Sequence, residues 1–97
     1  MKRDQVIRIL AGYSSELYEN YAVKSLALFG SVARDEARND NDVDLLVEFS
    51  HPVGLFQFIG LQQYLEALLG CTVDLGTLAS LKAPLKEGVL KEAIHVA

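Results

Sequence analysis

A small sheet with helices packed on it, an α/β (α+β) layer fold, is what this sequence predicts, and three observations carry that prediction. Residues 42–49 and 72–76 alternate apolar and polar side chains with the period of a half-buried strand. Residues 4–20 and 55–69 instead repeat apolar side chains at three- and four-residue steps, the spacing of a helix face. The two kinds of segment follow each other as helix, strand, helix, strand, helix, strand, helix, an order that buries helices against a sheet.

The first helix is expected from about Asp4 to Asn20, with Val6, Ile9, Leu10, Tyr13, Leu17 and Tyr21 on one stripe; Gly12 and the Ser14-Ser15 pair are its weak points. Tyr13, Tyr18 and Tyr21 read as packing residues with wetted hydroxyls rather than a platform for stacking bases. Lys24 to Phe29 forms a short buried strand, and Gly30-Ser31 ends it. Ser31 is the expected N-cap of a helix through Val32, Ala33, Arg34 and Ala37. The charged and amide-rich run from Asp35 to Asn41 is an exposed link.

Asp42 to Phe49 is the clearest strand: Val43, Leu45, Val47 and Phe49 share one face, and Asp42, Asp44, Leu46 and Glu48 the other. Ser50-His51-Pro52 breaks it. A long helix follows through Leu55, Phe56, Phe58, Ile59, Leu61, Leu65, Leu68 and Leu69, and Gly70 caps its C-terminus. Its apolar residues spread over more than one side, so those from Leu55 to Ile59 are either core or part of an interface with a partner protein. In the next strand, Thr72 to Gly76, Val73 and Leu75 face one way while Asp74 faces with Thr72 and Gly76. Leu85, Val89, Leu90 and Ile94 place a final helix over about Leu85 to His95.

The 97 residues contain no repeat, linker or composition shift and are expected to form one domain, 1–97. A net charge of -4 argues against a protein that grips nucleic acid through a basic field, so direct nucleic-acid binding is not expected. The charged start and the lack of a long apolar run indicate neither a signal segment nor a membrane span, and a cytoplasmic protein is expected. The single cysteine, Cys71, excludes an internal disulfide and reads as a small apolar residue at a strand edge, and Cys and His are too few for structural zinc.

The chemistry concentrates in one constellation. Asp42 and Asp44 lie two apart on a strand, about 6.6 Å along one face. Their repulsion favours a cation between them, and hard oxygen donors without neighbouring His or Cys point to Mg²⁺ or Mn²⁺. Asp74, on another alternating strand, can join them and serve a second metal or act as base toward an attacking hydroxyl. Gly30 permits close backbone approach, Ser31 offers an N–H and a hydroxyl to phosphates, and Arg34 can neutralise phosphate charge. Folding gains nothing from clustering like charges, so the conjunction points to nucleotide chemistry.

Other motifs fail at their own positions. A calcium loop opening at Asp40 would need Gly where Leu45 stands and Glu where His51 stands. Neither a G-x-G-x-x-G nor a G-x-x-x-x-G-K-[ST] run is present. His51 and His95 are expected to be solvated or to face a partner.

Phe29-Gly30-Ser31-Val32-Ala33-Arg34, then Asn41-Asp42-Val43-Asp44-Leu45-Leu46-Val47-Glu48-Phe49, then Val73-Asp74-Leu75 resembles the minimal nucleotidyltransferases of the polymerase-β-like superfamily, in particular the MNT antitoxins encoded beside HEPN toxins. Asn41 departs from the usual Ser, and Asp35 from the frequent Gly. The resemblance implies the nucleotidyltransferase (polymerase-β-like) fold with a small mixed sheet, and metal ligation by Asp42, Asp44 and Asp74. It also implies triphosphate contacts from Gly30, Ser31 and Arg34, and transfer of AMP from ATP to a tyrosine hydroxyl of a HEPN ribonuclease toxin in a hetero-oligomer. The alternative is an antitoxin that neutralises its HEPN partner by contact alone. Transfer to RNA or to an antibiotic is disfavoured by the acidity and by the absence of a further binding domain.

Overall fold

The computed structural model describes residues 2–34, 42–77, 80, 88 and 93–96. Two helices, α1 (Arg3–Gly12) and α2 (Ser14–Tyr21), precede strand β1 (Val23–Phe29) and the single turn α3 (Gly30–Ala33). Strand β2 (Val43–Phe49), helix α4 (Leu55–Leu69), strand β3 (Val73–Thr77) and the two-residue strand β4 (Ile94–His95) follow. The sheet order is β3-β2-β1-β4. It is mixed as expected: β1 runs antiparallel to β2 and β4, while β2 and β3 are parallel and are connected through α4.

The strand period divides the sheet into two unlike faces. Leu26, Leu28, Val43, Leu45, Val47, Val73 and Leu75 are buried in one core with Val6, Leu10, Leu17, Leu61 and Leu65 from the helices. Each such aliphatic side chain contributes about 1.5–3 kcal/mol by leaving water. Phe49 extends this face with an edge-on contact to Phe58, their ring centres 6.3 Å apart, and Tyr21 stacks on Tyr64 at 4.7 Å. The second face carries Phe29, Ala27 and Ser25 of β1, Asp44, Leu46 and Glu48 of β2, and Asp74 and Gly76 of β3. Leu46 is an exception to an otherwise polar β2 row, being buried there.

Three expectations are corrected. The leading helix is two helices: Gly12 and Ser14-Ser15 are poor helix interiors, and at Tyr13 the N–H turns back to the Leu10 carbonyl while its own carbonyl accepts from Leu17 N–H. Helix α3 begins at Gly30 with Phe29 as N-cap, so Ser31 lies inside the turn rather than capping it, and Arg34 is the C-cap. Ile94 and His95, placed by apolar spacing at the end of a helix, pair instead with Leu28 and Ala27. Val96 N–H continues the ladder to the Leu26 carbonyl, because the outer edge of β1 has backbone groups to satisfy. Gly88 is helical, and the rest of the expected 85–93 helix and the 35–41 link lie outside the described residues.

Other expectations hold. Gly70 adopts a left-handed conformation, φ 70°, and its N–H caps α4 at the Glu66 carbonyl. Ala22 closes α2 in the same region, φ 59°, where a Cβ is unfavourable; its carbonyl is secured by the Ser50 N–H and hydroxyl. Cys71 is half-buried, and burial raises its thiol pKa, in keeping with an apolar role. Among the described residues no helix is long and apolar enough to cross a membrane.

Candidate active site

Register brings the sequence-predicted residues to one end of the sheet. Asp44 sits opposite Phe29 across the antiparallel pair and opposite Asp74 across the parallel pair. Directly paired strand residues point to the same face, so the three form one row across β1, β2 and β3. Gly30, next after Phe29, therefore lies against Asp44. Its φ is +76°, and a Cβ built on it would overlap the Asp44 carboxylate. Glycine is needed twice over, for the left-handed bend and for the room it leaves.

Asp42 stands exposed just before β2, two residues from Asp44 and thus on its side of the strand. Asp74 is exposed in β3, and its carboxyl is near enough to that of Asp44 to raise the Asp44 pKa. Asp44 itself is half-buried, and its pKa is raised from the ordinary 3.8. Desolvation is the largest cause, followed by the negative charges of Asp74 and Asp42 and the hydrogen bond with Asp74; the Arg34 guanidinium pulls the other way. Five named residues, Gly30, Arg34, Asp42, Asp44 and Asp74, thus act on one another at one place. Ser31 occupies the α3 turn beside them through its backbone.

The donors are hard carboxylate oxygens whose charges repel one another, which is the chemistry a divalent cation relieves. Among the described residues no three His, Cys, Asp or Glu side chains stand close enough together to hold a metal ion between them. Asp44 and Asp74 are paired in register, and both Asp74 and Asp42 act on Asp44 through their charges.

One support for the site escapes a motif search. β3 is the sheet edge, and the outward N–H and carbonyl of Val73 are both taken by α4: Glu66 Oε2 accepts from Val73 N–H at 3.0 Å, and Gln62 Nε2 donates to the Val73 carbonyl at 3.0 Å. The residue before Asp74 is clamped in this way. The signal was available as two polar side chains one helical turn apart on a mostly apolar helix.

The fold and the acid row define a class. The chain belongs to the nucleotidyltransferase domain family, which matches it over residues 7–96. Among its relatives is the protein adenylyltransferase MntA of Thermococcus cleftensis, 43% identical over 93 residues that span 96% of this chain and 94% of that protein. A solved structure assigned to the minimal nucleotidyltransferases is 38% identical and superposes with a TM-score of 0.81, covering 97% of this chain and 95% of the other. At 20% identity the likeness is one of fold alone to a structure of the tri-AMPylated HEPN toxin of Shewanella oneidensis in complex with MNT antitoxin. There the TM-score is 0.66, with 94% of this chain and 71% of that one covered.

Proposed function

We propose that this chain, acting as a single minimal domain, is a protein adenylyltransferase antitoxin that moves AMP from ATP to a tyrosine hydroxyl of a HEPN-domain toxin and so neutralises it. The observation that carries the reading is the row of Asp44 and Asp74 packed against Gly30. The kinship with an adenylyltransferase over nearly the full length of both chains supports the same activity.

In this reading Gly30 and Ser31 present backbone N–H groups to the β- and γ-phosphates, and Arg34 offsets their charge. Asp42, Asp44 and Asp74 are the residues that would hold Mg²⁺ or Mn²⁺, which when bound supplies Lewis-acid stabilisation of charge on the phosphoryl oxygens. The acceptor oxygen bonds to the α-phosphorus, the bond from that phosphorus to the bridging oxygen breaks, and pyrophosphate leaves. Asp74, exposed at the edge strand beside Asp44, takes the hydroxyl proton on its carboxylate. The acceptor arrives as part of a docked protein. Leu55, Phe56 and Ile59, which are 69%, 90% and 38% exposed at the start of α4, offer apolar surface for docking.

The test is to incubate the chain with Mg²⁺, labelled ATP and the HEPN protein encoded beside it, against an Asp42→Ala/Asp44→Ala variant. A +AMP mass adduct on tyrosine that requires the intact acids is the expected result. Inhibition of the toxin by both forms, with no adduct, would establish neutralisation by contact instead.

A further inference from the structure

Charge is divided unevenly along the chain. Residues 39–81, which build β2, α4 and β3, hold the acids Asp40, Asp42, Asp44, Glu48, Glu66 and Asp74 and neither a Lys nor an Arg. All nine Lys and Arg lie outside that stretch, together with the other seven acids. The whole negative excess of the protein therefore belongs to the unit that carries Asp42, Asp44 and Asp74.

Within that unit α4 presents to solvent a stripe without charge. Phe56, Ile59, Gln63 and Ala67 are exposed at steps of three and four residues, on the side away from buried Leu61, Leu65 and Leu69. Phe56 is 90% exposed, and a Cβ at Gly60, in the same stripe, would meet open space. Nothing inside the domain requires a Phe or a glycine there, and glycine costs a helix interior about 1 kcal/mol. The stripe runs about 17 Å from Phe56 to Ala67. Its borders are acidic: Glu16 lies on the α2 side, close enough for its charge to act on Tyr64, and Glu66 lies on the β3 side, accepting from Val73 N–H next to Asp74.

We propose that this stripe and the adjoining β3 edge are one docking surface, and that the acceptor protein covers it with an apolar helix ridge bordered by Lys and Arg. The inference rests on the transferase reading proposed above and names the surface by which that site recognises its acceptor.

Continuity with the acid row is the first reason. α4 connects two parallel strands, so it runs back along the sheet, and its Gln62 and Glu66 reach Val73 beside Asp74. A protein seated on the stripe therefore ends at the edge where Asp74 is exposed.

Charge selects the occupant. A second copy would set one acidic unit against another, and nucleic acid or an anionic lipid surface would meet the same repulsion. A basic partner is attracted instead: Glu16, Glu66 and Asp74 draw its Lys and Arg to the rim and speed encounter. The uncharged stripe between them would strand a buried ion, so it takes apolar side chains. Phe56, with Leu55 and Ile59 beside it, is the anchor, since large aromatic side chains are enriched in such contacts. The gap over Gly60, between Phe56 and Gln63, accepts the ridge of a facing helix.

Titration calorimetry of the full chain with the HEPN protein encoded beside it, without ATP so that binding is read before any modification, tests this. The affinity should fall about tenfold between about 0.1 and 1 M salt, over which the screening length shrinks from about 10 to 3 Å. Phe56→Ser should bind at least about tenfold more weakly. Ala67→Lys should bind about tenfold more weakly than Ala67→Glu, both being good helix formers at an exposed position. Tyrosine labelling at limiting HEPN protein should fall in the same order, while ATP binding by each variant stays at the wild-type value. Phe56→Ser binding as tightly as the wild type, or Ala67→Lys matching Ala67→Glu, overturns the proposal, and tyrosine labelling that persists in them leaves the transferase reading standing. Self-association of the wild type that Phe56→Ser abolishes, with binding of the HEPN protein unmoved, overturns it in favour of a second copy. A HEPN protein neither bound nor labelled removes the transferase reading along with this one.

Discussion

Gly30→Ala probes how the bend and the acid depend on each other. The new methyl group would take a left-handed φ of +76°, which costs an L-residue about 1–2 kcal/mol. It would also overlap the Asp44 carboxylate, so either Asp44 swings off Asp74 or β1 and β2 part locally. For a domain of this size each kcal/mol lowers Tm by about 4–8 °C, so the backbone cost alone predicts a fall of roughly 4–16 °C. Transfer should fall about 10- to 100-fold or more, the loss typical when support of a metal ligand is removed. The assay is a double-mutant cycle read by chemical denaturation with Asp44→Ala, which removes the carboxylate that the methyl group meets. Gly30→Ala should then cost less in the Asp44→Ala background, with a coupling of about 1 kcal/mol. Additivity within about 0.5 kcal/mol would refute the claim that Gly30 is there to make room for Asp44.

Asp44 also makes the fold sensitive to pH. A carboxyl whose folded pKa is raised opposes folding once ionised, so its effect is nil below the unfolded value of 3.8 and grows as pH rises toward the folded one. Asp44→Asn should therefore raise Tm of the metal-free protein at neutral pH, leave it unchanged below that lower bound, and abolish transfer; melts across pH with parallel labelling assays check both halves. Glu66→Ala removes the acceptor of Val73 N–H and should cost about 1 kcal/mol and slow transfer, whereas Glu66→Gln, whose side-chain oxygen can still accept, should restore both. Denaturation midpoints and labelling rates of the two variants provide the comparison.

The acid row was legible because a strand encodes its faces with a period of two. Val43, Leu45 and Val47 were bound to turn inward together, and Asp44 to turn away with Glu48. Gly70 and the apolar spacing of Leu61, Leu65 and Leu69 marked α4 and its end for the same local reason. The split at Tyr13 was half legible, in the weak residues around it. Ile94 and His95 were not: two residues have no period of their own, and their strand state comes from the unpaired edge of β1, distant in the chain.

The order of side chains along the chain settled which residues carry chemistry and which face of each strand they occupy, since alternation is a property of the local backbone. It could not settle who sits beside whom. That Asp44 lies between Phe29 and Asp74, that Val73 is clamped from α4, and that Ala27, Leu46 and His95 form a second row are matters of register. Register is decided only when distant segments satisfy one another's backbone hydrogen bonds and bury a common core.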